Sequence, residues 1–217
     1  MNAIDERTKD SEGQVDGGSI DLSRPDNSGL IRGASLWVEA LWYFLALPML
    51  RSYWITSSGF RCRLLRLFGA KVGDGVYVKP GLRVKFPWYL EVGDHSWLGE
   101  DLWIDNLTHV RIEAHCCLSQ GAYLCTGNHD WSSPNMRLFA QSIICKRGSW
   151  VGAKALLCPG VVIGEGAIVI AGSIVTKAVP AMEVHAGNPA RFLRHREIRS
   201  IRTPLAGTEE GKINGAR

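Results

Sequence analysis

Residues 150–180 read WVGAKALLCPGVVIGEGAIVIAGSIVTKAVP, and an aliphatic residue stands at every sixth position of this stretch. These positions are Val151, Leu157, Ile163, Val169 and Val175. A period of six differs from the 3.6-residue period of an α-helix and from the alternation of a half-buried strand. It predicts a parallel β-helix, in which three short strands form one triangular coil and the stacked coils bury the aliphatic position.

The same register extends upstream and gives fourteen aliphatic lead positions in all. The nine upstream leads are Val72, Val78, Val84, Val92, Leu98, Ile104, Ile112, Leu118 and Leu124. Ordinary strands with coincidental spacing are the alternative, but chance would rarely hold one register over so many positions. The spacing itself does not reveal the hand of the coil, although right-handed crossovers are the general rule for parallel strands.

Three breaks interrupt the repeat, and each follows a third hexad. The spacing between leads is eight after Val84 and after Ile104, and 27 after Leu124. If three hexads make one coil, all three insertions emerge from one corner of the prism. The largest insertion predicts a protruding loop at 130–145, with His129 at its base beneath His109 of the preceding coil. Long excursions from a regular scaffold often carry function.

Outside the repeat, composition divides the chain into four further segments. Residues 1–30 hold seven acidic and three basic side chains with few large apolar ones, which predicts a disordered tail. Residues 31–69 predict a helical N-terminal segment that precedes the β-helix domain at 70–180. Residues 181–202 form a C-terminal segment with a short helix, and 203–217 a second disordered tail.

Within the N-terminal segment, residues 35–50 are strongly apolar but are interrupted by Glu39 and Pro48. The run falls short of the roughly 20 residues that a bilayer requires. It therefore predicts a buried or membrane-surface helix, followed by a second amphipathic helix that ends at Gly69.

Charge and cysteine content limit the functional classes. The net charge of +4 includes −4 from residues 1–30, so the remainder carries +8. Such a basic domain could bind nucleic acid, a membrane surface or a phosphorylated small molecule. The six cysteines form no CxxC pair, and the polar first thirty residues do not resemble a signal peptide. We expect a cytoplasmic protein whose free thiols mainly have packing roles.

Four motifs carry a family resemblance over about 64–196 of the chain. They are LLRLFGAKVGDGVYVKPGLRVKFPWYLEVGDHSWLGEDLWIDN, SQGAYLCTGNHDWSSP, the 150–180 stretch and HAGNPARFLRHR. The sequence resembles the hexapeptide-repeat acyltransferases, within them the sugar O-acetyltransferase branch, and in that branch the colanic acid biosynthesis group. The resemblance implies an all-β, left-handed parallel β-helix, assembly as a homotrimer, and acetyl-CoA as the acetyl donor.

Motif positions then assign roles to individual residues. His129 matches the catalytic histidine, and an imidazole that titrates near neutrality suits general-base catalysis. The positions that match donor-binding residues are Trp150 at the pantetheine channel, Ala171, Thr176 and Lys177 at acetyl-CoA, and Arg191 and Arg194 near the cofactor phosphate. Asp105 and Asn106 are expected to bind the acceptor, although the family's asparagine position falls on Gly99 and does not match.

The resemblance implies direct transfer in a ternary complex, in which His129 deprotonates a hydroxyl of a sugar or polysaccharide precursor. Serine acetylation or N-acetylation of a nucleotide sugar is the main alternative. A zinc hydratase would need three converging histidines, whereas this register stacks His95 with His115 away from His109 and His129. A non-catalytic scaffold is a further alternative. We expect no metal and no nucleic acid, and leave open a peripheral membrane contact through 35–68.

Overall fold

The computed structural model describes residues 19–199. The helices that precede the β-strands are α1 (Leu36–Leu41), a π-helical turn (Trp42–Ala46), α2 (Leu47–Arg51) and α3 (Ser58–Leu67). The Ser57 hydroxyl caps α3 by accepting from the Phe60 N–H at 3.2 Å. The buried guanidinium of Arg61 joins the helices, because it donates to the carbonyl oxygens of Leu50, Ser52, Ser57 and Ile55.

Three parallel sheets follow and form the faces of a β-helix. The first sheet contains β1 (Lys71–Val72), β4 (Leu90–Val92), β7 (Val110–Ile112), β12 (Ile143–Cys145) and β15 (Val162–Ile163). The second contains β2 (Tyr77–Val78), β5 (Trp97–Leu98), β8 (Cys117–Leu118), β13 (Trp150–Val151), β16 (Ile168–Val169), β18 (Glu183–Gly187) and the antiparallel β19 (Ala190–His195). The third contains β3 (Arg83–Val84), β6 (Trp103–Asp105), β9 (Tyr123–Cys125), β14 (Leu156–Leu157) and β17 (Ile174–Val175). A hairpin of β10 (Gly127–His129) and β11 (Leu138–Ala140) stands apart from them.

The hexapeptide register defines the core as predicted. Thirteen of the fourteen lead positions are buried, while Val72, in the first coil, is partly buried and packs against the core. All three insertions leave the third sheet and return to the first, the largest of them at β12, so they share one corner of the prism. We call this edge the insertion corner.

The protruding loop is shorter than the predicted 130–145. Cys145 lies six residues before Val151, is fully buried, and pairs with Ile112 and Ile163 in the first sheet. Residues 143–145 therefore belong to the coil. A cysteine behaves as a small buried hydrophobe, so Cys145 is a lead position that an aliphatic pattern does not detect.

The predicted short C-terminal helix is wrong. Residues 183–195 form the β18–β19 hairpin, in which Ala186 pairs with Arg191 and Val184 with Arg194. Gly187 adopts a left-handed backbone angle at the turn, and the residue before Pro189 is biased away from helical geometry. Residues 200–202 lie outside the described residues.

The predicted N-terminal tail also needs correction. Residues 1–18 and the tail at 203–217 lie outside the described range, but residues 19–30 make defined contacts with the β10–β11 hairpin. The composition of 1–30 gave no sign of these backbone hydrogen bonds, because they depend on a partner more than a hundred residues away in the sequence.

The apolar helices pack one face against the end of the β-helix and leave the other exposed. Trp42, Ala46 and Leu50 are fully buried, and the Trp42 indole N–H donates to the Val84 carbonyl at 3.0 Å. Trp37 and Phe44 are 82% and 85% exposed. Across residues 19–199, no helix has the length and apolar character that a bilayer crossing requires.

Candidate functional site

His129 is held in a defined orientation at the end of β10. Its Nδ1 lies 2.7 Å from the carbonyl oxygen of Met136. A carbonyl can only accept a hydrogen bond, so Nδ1 carries a proton, and in the neutral imidazole Nε2 is the nitrogen that has the free lone pair. The His129 N–H donates to the side-chain oxygen of Asn128 at 2.8 Å. The side chain is exposed, and the basic nitrogen can therefore meet a substrate.

The turn that joins β10 to β11 places the Met136 carbonyl opposite the imidazole. Met136 has a left-handed backbone angle of φ 50°, which is uncommon for a residue with a side chain. Asp130 accepts hydrogen bonds from the backbone and hydroxyl of Ser132, and these bonds, with a smaller contribution from Arg137, hold the pKa of Asp130 below its usual value. The sequence did not point to Met136 or to this turn, because both act through backbone geometry.

His129 does not lie directly beneath His109, which corrects the position that the register predicted. The Ile143 N–H donates to the His109 carbonyl at 3.2 Å, and Ile143 pairs with Val110. The strand that follows the hairpin therefore continues the coil there, and the hairpin projects beside it. The ring of His109 instead packs against Tyr89, with ring centroids 4.9 Å apart.

Asn106 cannot contact an acceptor in this structure, which corrects its predicted role. Its amide is fully buried, accepts from the Phe86 N–H at 3.0 Å and donates to the Phe86 carbonyl at 2.6 Å. Both polar ends of the amide are thus used to close the insertion corner between neighbouring coils.

Asp105 remains available on the outer face of the third sheet. Its carboxylate lies 3.2 Å from the Lys85 ammonium and accepts from the Tyr123 hydroxyl at 3.2 Å. Burial, and after it the neighbouring Cys125 and Asp105, raise the pKa of Tyr123. Asp105 lines an open cavity of about 230 Å³ with Tyr43, Leu47, Arg83, Val84, Lys85 and Trp103.

The residues expected to bind the donor occupy two separate places. Trp150 is half-exposed on the second sheet between Cys117 and Ile168, and its indole N–H donates to the Ser119 hydroxyl at 2.9 Å. Arg191 and Arg194 are exposed on β19 in the same sheet. Ala171 follows β16, whereas Thr176 and Lys177 follow β17 at the insertion corner, and all three are exposed.

One chain therefore does not assemble the predicted site on a single surface. The His129 hairpin emerges from the insertion corner, and this corner lies opposite the second sheet that bears Trp150, Arg191 and Arg194. The separation is a property of the triangular coil, because each corner joins two sheets and faces the third.

The histidines and cysteines of the described residues lie in several separate places. Among residues 19–199, no group of three or more histidine, cysteine or acidic side chains could hold a metal ion. His95 and His115 stack with ring centroids 5.3 Å apart, at the corner between the first and second sheets. The six cysteines are free, and burial raises the pKa of the Cys62, Cys116 and Cys158 thiols.

Comparisons with known proteins identify the class to which this hexapeptide β-helix belongs. No family model matches the sequence. The chain is 42% identical over 137 residues, 63% of its length and 75% of the relative, to "Putative colanic acid biosynthesis acetyltransferase WcaF" of Escherichia coli K12. It is 28% identical over 134 residues, 60% of its length and 66% of the relative, to the galactoside O-acetyltransferase of the same organism.

Among solved structures, the fold resembles the hexapeptide-repeat-containing acetyltransferase VCA0836 of Vibrio cholerae O1 biovar eltor, complexed with acetyl-CoA. The TM-score is 0.69 at 22% identity, and the match covers 79% of this chain and 96% of the other. The chain belongs to the hexapeptide-repeat acetyltransferases, on the strength of its identity to WcaF over three quarters of that relative. The predicted parallel β-helix is confirmed as its fold class.

Proposed function

We propose that this acetyltransferase moves an acetyl group from acetyl-CoA to a hydroxyl of a sugar or exopolysaccharide precursor, with His129 as the general base. The observation that carries the proposal is the hydrogen bond from Nδ1 of His129 to the Met136 carbonyl. It fixes the tautomer whose Nε2 can accept a proton.

The reaction needs no acyl-enzyme intermediate. Nε2 of His129 removes the proton from the acceptor hydroxyl as its oxygen attacks the thioester carbonyl of acetyl-CoA. The tetrahedral intermediate then expels the CoA thiolate, which takes the proton from the imidazolium, and the products are the acetyl ester and free CoA. Holding the two substrates together lowers the entropic cost of their encounter.

Relatives support the two substrate classes. VCA0836 was crystallised with acetyl-CoA, and the named relatives act on a galactoside or serve colanic acid biosynthesis. For the donor we propose Trp150 at the pantetheine arm, Ala171, Thr176 and Lys177 along it, and Arg191 and Arg194 at the phosphates. Guanidinium groups suit phosphate because they donate several hydrogen bonds to it. For the acceptor we retain Asp105 alone.

A homotrimer would complete the site. The outward positions of the second sheet include the exposed aromatics Tyr77, Trp97 and Trp150, and apolar patches of this kind commonly mark an interface. If the insertion corner of one chain packs beside the second sheet of another, His129 of the first chain meets Trp150 of the second. Closed cyclic symmetry then gives three equivalent shared sites.

We also propose a cytoplasmic enzyme that touches the membrane surface through its helices. Trp37, Leu41, Phe44 and Leu45 follow the spacing of one helix face, and all are exposed. Trp54, just after α2, is 96% exposed, and Arg51 supplies a nearby exposed cation. Apolar and aromatic side chains beside a basic group are typical of helices that lie in the membrane interface.

Replacing His129 with asparagine tests the catalytic proposal, because an amide cannot accept the proton. We expect kcat to fall about a hundredfold or more, while acetyl-CoA binding measured by calorimetry stays unchanged. His115→Asn is the matched control, because His115 is also exposed but lies at a different corner. A His129→Asn enzyme with the turnover of the control would exclude His129 as the base.

A further inference from the structure

Residues 20–33, which we call the N-terminal strap, run along the insertion corner to the His129 hairpin. One end of the strap is held by the first coil. The Trp88 indole N–H donates to the Arg32 carbonyl at 2.6 Å, and the Tyr89 hydroxyl donates to the Ile31 carbonyl at 3.1 Å. Arg32 also pairs with Glu39 of α1 at 2.8 Å. The strap is thus tied to both the β-helix and the helical segment.

The other end of the strap binds the hairpin through its backbone. The Leu138 N–H donates to the Asp26 carbonyl at 2.9 Å, and the Asp21 N–H donates to the Pro134 carbonyl at 2.9 Å. Gly29 lies so close to β11 that an added Cβ would stand 2.3 Å from the Leu138 carbonyl oxygen. No side chain could occupy that position without displacing β11 or the strap.

These contacts hold the part of the hairpin that orients the His129 imidazole. Leu138 is the residue that pairs with His129 across the hairpin, and Met136, which accepts from Nδ1, lies two residues before it. The hairpin strands are only three residues long, and an isolated two-stranded hairpin is marginally stable in water. By bonding the outer edge of β11, the strap acts as a third chain segment that holds the hairpin in place.

We propose that the N-terminal strap is a positioning element for catalysis, which fixes the Met136 carbonyl and thereby the tautomer and direction of His129. Gly29 and Asp26 are its positioning residues at the hairpin. The inference rests on His129 being the general base, but the strap's hold on the hairpin is measurable without any assay of activity.

The test uses Gly29→Ala in the full chain. The backbone of Gly29 is outside the left-handed region, so alanine acts through its contact with Leu138 and adds no backbone strain. Gly59→Ala in α3 is the matched control, because its Cβ would meet only the Ser57 hydroxyl at 3.8 Å. Trp88→Phe is a second variant, which removes the hydrogen bond to Arg32 and keeps an aromatic ring beside Phe86.

We expect both strap variants to exchange amide hydrogens faster at 128–140, with no change in the strands between 150 and 175. Their kcat should fall about tenfold or more, while KM for acetyl-CoA stays near that of Gly59→Ala, because small displacements of a catalytic group affect turnover strongly. Unchanged exchange at 128–140 would overturn the proposal. Faster exchange at 128–140 in the strap variants with unchanged kcat would also overturn it, provided that His129→Asn inactivates the enzyme. If His129→Asn is itself active, the proposed function fails, whatever the strap does to exchange.

Discussion

An imidazole works as a general base only when its unprotonated nitrogen faces the substrate, and a backbone carbonyl controls this in His129. Many histidines obtain their tautomer from a carboxylate or carbonyl partner. Here the partner is the Met136 oxygen, which belongs to a turn with a left-handed backbone angle. A motif search can identify the histidine, but it cannot detect a partner that acts through its main chain.

Asn106 differs from His129, because its side chain is buried and binds backbone groups instead of facing a substrate. We predict that Asn106→Ala lowers the free energy of unfolding by about 1–3 kcal/mol, because it leaves the buried Phe86 N–H and carbonyl without partners. Thermal or denaturant unfolding measures the change, and KM for the acceptor should remain as in the wild type.

Gln120→Ala is the control for that prediction, since Gln120 is exposed and its side chain has no such partner among the described contacts. If Asn106→Ala were as stable as the wild type and had a raised KM for the acceptor, the prediction would be wrong, and Asn106 would bind the acceptor after all.

At the scale of the elements, the sequence predicted what repeats and missed what depends on a distant partner. The six-residue register located the β-helix and the insertion corner, because the inward direction of each lead residue follows from its position in the local hexapeptide. Cys145 escaped because the pattern was restricted to aliphatic residues. The β18–β19 hairpin and the strap form through backbone hydrogen bonds to other segments, and composition contains no information on such pairs.

The helical segment gives a prediction at the same scale. A protein with both Trp37→Ser and Phe44→Ser should lose most of its sedimentation with vesicles of anionic and neutral phospholipid, because two amphipathic anchors are removed from the interface. The wild-type protein should sediment with these vesicles. High salt should release part of it, because salt screens the attraction between Arg51 and the anionic phospholipid.

Trp131→Ser is the matched control, because Trp131 is 88% exposed but lies at the tip of the hairpin. Equal sedimentation of the double variant and this control would contradict a membrane contact through the helices. Recovery of the wild type only by detergent, with resistance to salt and alkali, would indicate insertion instead.

At the scale of the whole molecule, the separation of His129 from Trp150, Arg191 and Arg194 within one chain decides what a complete enzyme requires. His129 emerges from the insertion corner, and Trp150, Arg191 and Arg194 belong to the sheet opposite. A long, flexible donor bound by one chain alone would leave the base out of reach or the cofactor exposed. We therefore predict that a chain defective in the base and a chain defective in donor binding complement each other.

The experiment mixes His129→Asn chains with chains that carry both Arg191→Ala and Arg194→Ala, after dissociation and joint refolding. Each variant alone should be nearly inactive, and refolding each with itself provides the control. In a mixed trimer, some interfaces combine an intact His129 from one chain with intact arginines from its neighbour, so part of the activity should return. If His129 and the arginines served the same site from one chain, every site in the mixture would keep one defect and no activity would return. A mass of one chain by light scattering, with full activity at the same dilution, would contradict the shared site directly, because the insertion corner and the second sheet of a single chain lie on opposite sides of the β-helix.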